Sequence, residues 1–254
     1  MKNLLFLGFA CCFMLLLSCS ENSKETLQLN PEFEKLLNAH GDWEKWINAK
    51  AMSFSMIHET TLTQENYFVN LESRKIRLDE STFSIGKDDT GTWVSPRREA
   101  FGGRSVDFYH NLYFYFYAIP YVLTDPGVRV LPVENKTVNG TSYKTLHATM
   151  NQGVGESSND QFYLLLHPET GRLEYLLYSV TYFDENSQTL NALKYADYRD
   201  ADGLVFPRTL TGYVYENDST KNMKYQVSFA DVLILDEPFE DSIFEKPENG
   251  VYAD

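Results

Sequence analysis

Several groups of side chains along this sequence could do chemistry, and most of them stop short of a complete centre. His58-Glu59-Thr60-Thr61-Leu62 begins like a zinc-protease helix, in which two histidines four residues apart bind the metal and a glutamate acts as base. Leu62 stands where the second histidine must be. Asp107 and His110 lie three apart, a spacing that places two ligands on one helical face, but two ligands are too few for a metal. Asp197, Asp200 and Asp202 precede Gly203 as in a calcium loop, yet Arg208 occupies the place of the required glutamate. Turn chemistry accounts for those aspartates. The loop Gln152 to Asp160 is glycine-rich and acidic, with Glu156 and Asp160 as possible acid, base or calcium groups. It has no G-x-S-x-G elbow, and Ser157 has no histidine partner in sequence. These patterns imply no catalytic residue, no metal and no cofactor.

The segment with most binding capacity is apolar. Asp107 to Leu123 reads DFYHNLYFYFYAIPYVL. Phenylalanine and tyrosine offer wide apolar surface with few rotatable bonds, and apolar burial is worth about 25 cal/mol per Å². Phe108, Leu112, Phe116 and Ile119 share one helical stripe, while Tyr113 to Tyr117 also alternates at period two, so periodicity alone does not choose between helix and strand. Asp107 as N-cap, Pro120 and Asp125-Pro126-Gly127 as stop signals favour a helix. The candidate ligand-binding residues are Trp93, Phe108, Leu112, Phe114, Phe116, Tyr117 and Ile119. The same string could instead fill a core, in which case the hydroxyls at 109, 113, 115 and 117 each need a partner.

The elements that must position this segment are mostly strands. Pro31 to Met56 carries the opening helices: Phe33, Leu36 and Leu37 at helical spacing, then, after His40-Gly41, Trp43, Trp46, Ile47 and Ala51. Strands are expected over His58 to Thr63, Tyr67 to Leu78, Thr82 to Gly86 and Thr92 to Ser95, with Lys87 to Gly91 as a hairpin loop. After the aromatic helix they return from Val128, over Tyr143 to Met150, Gln161 to Leu166, Leu173 to Phe183, Leu193 to Tyr198, Val205 to Tyr215 and Met223 to Leu235. About nine to eleven strands result, and Phe239 and Phe244 pin down the tail.

The N-terminus places the chain. Met1-Lys2-Asn3 precedes an apolar run from Leu4 to Leu17, the size of a secretory signal and shorter than the roughly 20 residues of a membrane span. Leu16-Leu17-Ser18-Cys19 resembles the lipobox of bacterial lipoproteins, in which the cysteine is acylated and becomes residue one. Cys11 and Cys12 lack the leucine context and are removed with residues 1–18. An acylated Cys19 then leaves no thiol for a disulfide, a metal or a nucleophile. Losing 18 of 254 residues leaves 236, and losing Lys2 moves the formal charge from -14 to -15. Such an acidic chain repels phosphate backbones, so nucleic acid is not an expected partner, and membrane attachment rests on the lipid rather than a basic patch. Residues 19–30 are the lipidated cysteine and a polar tether, and residues 31–254 one domain. Asn135, Asn139 and Asn217 fit N-glycosylation sequons, without meaning in a bacterium.

Further resemblances lie in the body of the chain. The opening helix, Trp93-Val94-Ser95-Pro96, the apolar helix, Pro168-Glu169-Thr170-Gly171-Arg172-Leu173, Asp202-Gly203-Leu204-Val205-Phe206-Pro207-Arg208 and Phe244-Glu245-Lys246-Pro247 together resemble the LolA/LppX-like lipoprotein superfamily. The string from Asp107 to Tyr117 and Gly153-Val154-Gly155-Glu156-Ser157 are similar to an uncharacterised Bacteroidetes lipoprotein family. In Bacteroidetes, Asp218-Ser219-Thr220 and Asp241-Ser242-Ile243 look like O-glycosylation sites, and Glu21 and Glu25 resemble a surface-export signal. The superfamily resemblance implies a mainly β (α+β) fold, a curved antiparallel sheet forming an incomplete barrel closed by helices, whose concavity holds acyl chains. The expectation is therefore a non-enzymatic outer-membrane lipoprotein, facing periplasm or medium, that binds a lipid or acyl chain. The alternative is a module that docks to an envelope protein or glycan through exposed aromatics.

Overall fold

The computed structural model describes residues 29–151 and 159–253. The signal segment, Cys19, most of the tether, and Glu156 and Ser157 of the glycine-rich loop lie outside the described residues.

The chain opens with α1 (Pro31–Ala39) and α2 (Trp43–Asn48). Asn30 caps α1 by accepting the Glu32 amide at 2.9 Å, and Pro31 starts the helix where a missing N–H costs nothing. Phe33, Leu36, Leu37 and Trp46 enter the core as their spacing predicts, whereas Ile47 is 50% exposed because α2 turns only a narrow face inward.

Five strands follow: β1 (Ala51–His58), β2 (Thr63–Asn70), β3 (Ile76–Glu80), β4 (Ser84–Lys87) and β5 (Thr92–Ser95). The strand expected over 58–63 is instead a turn, closed by the Leu62 amide on the His58 carbonyl at 2.7 Å, and the true strand begins at Ala51. Leu62 takes a left-handed backbone and is exposed, so the run of threonines marks a turn that resembles a strand in composition alone. The expected strand over 67–78 is likewise split, at a turn where Arg74 has φ 56°.

Helix α3 (Val106–Ala118) comes next, then β6 (Val128–Val138), β7 (Thr141–Met150), β8 (Phe162–Leu166), β9 (Leu173–Tyr178) and β10 (Asn191–Ala196). The last strands are β11 (Arg199–Ala201), β12 (Leu204–Phe206), β13 (Thr209–Glu216), β14 (Ser219–Leu235) and the short β15 (Val251–Tyr252). Pro207 separates β12 from β13 within what reads as one strand, and fifteen strands are found among the described residues where nine to eleven were expected.

Thirteen strands form one antiparallel sheet, ordered β15-β5-β4-β3-β2-β1-β14-β13-β10-β9-β8-β7-β6, and β11 and β12 pair apart. The sheet is curved and unclosed, with β15 and β6 at its edges, in agreement with the expected fold class. β14 joins the two halves by pairing with both β1 and β13. Helix α3 packs against β3, β4 and β5.

Candidate functional site

Helix α3 starts at Ser105, whose hydroxyl accepts the Phe108 amide at 3.2 Å. Asp107, expected to cap, sits in the first turn, where its charge still complements the positive helix end. Ile119 leaves helical geometry immediately before Pro120, and a short 3-10 turn over Tyr121–Thr124 carries the chain to β6.

Three directions around α3 are committed to the core. Tyr117 stacks on Phe229 with ring centres 3.9 Å apart and also meets Phe54 and Phe206. Tyr109 donates to the buried Glu65 carboxylate at 2.6 Å, Tyr67 donates to the same group at 2.9 Å, and His58 Nε2 lies 3.2 Å from it. Burial and the Glu65 charge push the Tyr109 phenol far above its ordinary pKa. His110 Nε2 donates to the Ile76 carbonyl at 2.8 Å, and burial lowers its pKa to about 4. Phe114 is fully buried, with the Arg74 guanidinium 5.9 Å from its ring.

The fourth direction meets a cavity of about 140 Å³. Phe108, Leu112, Phe116 and Ile119 line it from α3, the single stripe that the helical spacing defines. The opposite wall comes from Val128, Met150, Phe162, Tyr178 and Val180. Phe116 meets Tyr178 edge-on at 4.8 Å, and Tyr195 holds the helix by donating to the Phe116 carbonyl at 2.8 Å. At the outer end of the stripe, Phe108 packs on Tyr182 and Phe183, each 37% exposed.

Of the sequence-derived candidates, Phe108, Leu112, Phe116 and Ile119 therefore share one cavity, whereas Trp93, Phe114 and Tyr117 do not line it. Trp93 is wholly buried under the tail, its indole donating to the Phe244 carbonyl at 2.8 Å and lying where a Cβ on Gly86 would come within 2.3 Å of the ring. Sequence reading missed the far wall, whose residues come from separate strands. The Glu65 network did carry a signal, since Glu65, Tyr67 and Val69 alternate onto one buried strand face.

Polar groups at the cavity are already engaged. Asp125 pairs with Arg74, and Asp160 accepts from the Thr181 amide at 2.6 Å and the Thr181 hydroxyl at 2.9 Å. Burial raises the Asp160 pKa against those hydrogen bonds. Asp160 thus stitches the start of β8 to the chain beyond β9. Among the described residues no group of three His, Cys, Asp or Glu side chains is placed to hold a metal ion, and no helix is long and apolar enough to cross a membrane.

Residues 98–213 match the model of DUF6503, a family of unknown function. The matched part includes α3 and most of the cavity wall. No curated protein matches the chain. Solved structures similar to it include three at 10% identity. They are a DUF1329 family protein from Desulfovibrio piger (TM-score 0.47, 84% of this chain and 95% of that one), a LolA superfamily protein from Nitrosomonas europaea (0.42, 85% and 96%) and a lipoprotein-sorting protein domain described as outer-membrane from Vibrio parahaemolyticus (0.38, 80% and 93%). At these TM-scores the likenesses assign neither ligand nor activity.

Proposed function

We propose that this protein is a lipid-anchored component of the bacterial outer membrane, facing periplasm or medium, that holds the apolar end of a lipid or acyl chain without chemically changing it. The observation that carries the reading is the stripe Phe108, Leu112, Phe116 and Ile119. Val106, Tyr113, Phe114 and Tyr117 of α3 are buried in the core, while this stripe borders open space against a second apolar wall. The two apolar walls leave an open cleft of about 140 Å³ between them.

Size limits what enters. A cavity of about 140 Å³ is close to the roughly 150 Å³ engineered void that stays dry and binds benzene. The gap therefore takes about six carbons, the end of a chain. The anchor on Cys19 and the polar tether would keep this mouth near a bilayer from which such a chain could be drawn.

The test is native mass spectrometry of the polypeptide from residue 20 onward, purified without detergent, then solvent extraction. A stoichiometric apolar ligand supports the reading. A bare mass that stays bare after incubation with phospholipids and fatty acids would favour instead a module docking through its exposed aromatics.

A further inference from the structure

We infer that a polar pocket beside the apolar cavity receives the anionic head of an amphiphile whose tail enters the cavity, an inference that rests on the tail-binding reading above. This second pocket, of about 300 Å³, is lined by Arg74, Lys75, Lys87 and His110 together with Asn111 and Tyr115. Asn111 and Tyr115 also line the apolar cavity, so the two spaces share a wall on α3. The Arg74–Asp125 pair bridges them, because Arg74 faces the polar pocket and Asp125 the apolar one.

The charges in the pocket are not spent equally. Asp88 also lines it, but its carboxylate accepts from the Thr90, Gly91 and Lys246 amides and the Tyr252 hydroxyl, which hold it as the clasp of the β4–β5 loop. Asp89, the other acidic lining residue, has a nearly fully exposed side chain and stands 3.7 Å from Lys75, which also pairs with Asp241 at 3.3 Å. Lys87 is exposed and takes part in no ion pair among the described residues. Arg74 gives Nη2 to Asp125, while its Nη1 is buried with no hydrogen-bond partner among the described residues.

A buried charged donor left without an acceptor is costly, and native structures rarely keep one without a reason. Arg74 is held there by a left-handed backbone in the β2–β3 turn and by the Phe114 ring. A planar guanidinium with one arm fixed and one arm unsatisfied matches a carboxylate or phosphate oxygen. Lys87, exposed in the same lining, supplies a second charge. This concentration of cations contrasts with a chain that has 22 basic and 36 acidic residues. An acyl chain ending in the cavity, with its head passing over Asn111 and Tyr115, would reach both.

The experiment compares dodecyl phosphate, dodecanol and inorganic phosphate by calorimetry, below micelle-forming concentrations, on the polypeptide from residue 20 onward. The variants are Lys87→Gln, which alters an exposed side chain, and Lys87→Gln with Arg74→Gln. We expect dodecyl phosphate to bind at least tenfold more tightly than dodecanol, the advantage shrinking with salt, falling about threefold in Lys87→Gln and disappearing in the double variant. Dodecanol affinity is measured on each protein as the reference, so that any effect of leaving Asp125 unpaired in the apolar wall cancels in the ratio, and circular dichroism shows that all three are folded. Equal affinity for the two amphiphiles, or an advantage that survives both substitutions, overturns the head-group site while leaving the apolar cavity standing. Failure of both amphiphiles overturns the cavity reading and this one with it. Binding of inorganic phosphate in that case would mark an ion site unrelated to a lipid.

Discussion

Replacing Leu112 with tryptophan closes the cavity from within. Leu112 is half-buried on the stripe that faces the opening, and an indole is larger than the benzene that a void of this size accepts. About six carbons of ligand buried at about 0.8 kcal/mol each give about 5 kcal/mol at most. The cleft is open on one side, so half of that, about 2.5 kcal/mol, is the realistic share, equivalent to about 50-fold in affinity. The same halved burial makes wild-type affinity rise about twofold per methylene along a fatty-acid series and flatten once about six carbons are engaged. Displacement of a fluorescent fatty acid measures both. The variant should bind about 50-fold more weakly and melt no lower than wild type, since the added ring fills space. A folded variant that binds within threefold of wild type, or a length series without a plateau, refutes the placement of the chain.

Other consequences concern the frame around the cavity. Glu65→Ala removes the acceptor of the Tyr67 and Tyr109 hydroxyls and should cost about 2–4 kcal/mol in urea unfolding, part of it recovered by adding Tyr67→Phe, which removes one orphaned donor. Tyr117→Ala opens a void beneath Phe229 and Phe206 and should cost about 3–5 kcal/mol in the same assay. Gly86→Ala drives a methyl into the Trp93 ring, predicting about 1–3 kcal/mol of destabilisation with a shift in tryptophan fluorescence. His40 and His110 are both lowered to about 4, chiefly by burial. Between pH 6.5 and 4 the unfolded chain binds protons that the folded chain refuses, so this stability is present above 6.5 and lost on acidification, by at most about 3 kcal/mol per histidine. Unfolding at stepped pH should show the loss, and proton NMR should show neither imidazole titrating above pH 5. Constant stability from pH 7 to 4.5 would contradict it.

How much of this was legible in the sequence differs by element. Strand and turn signals located most of the sheet because its turns carry glycine, asparagine and aspartate, but β1 was mistaken for the end of a helix and the threonine-rich turn after it for a strand. Composition favours threonine in strands, and only the backbone reversal at Leu62 separates the two. The four residues on the helical stripe could be grouped from spacing alone. Phe114, Tyr117 and Trp93 could not be sorted from them, because a helix apolar on every side has no marked face until the sheet around it is known. The far wall and the polar pocket depend on strand order, which brings Phe162, Tyr178, Arg74 and Lys87 to one helix from distant parts of the chain.

The most direct test of the central claim is to locate the chain itself. Decanoic acid labelled with carbon-13 at its terminal methyl, bound to the polypeptide from residue 20 onward, can be read by isotope-edited NMR for protons within about 5 Å. The account predicts contacts from that methyl to Leu112, Ile119 and Val128 side chains, lost in Leu112→Trp. Contacts confined to exposed residues such as Met223 and Leu233, or none at all at saturating ligand, would contradict it.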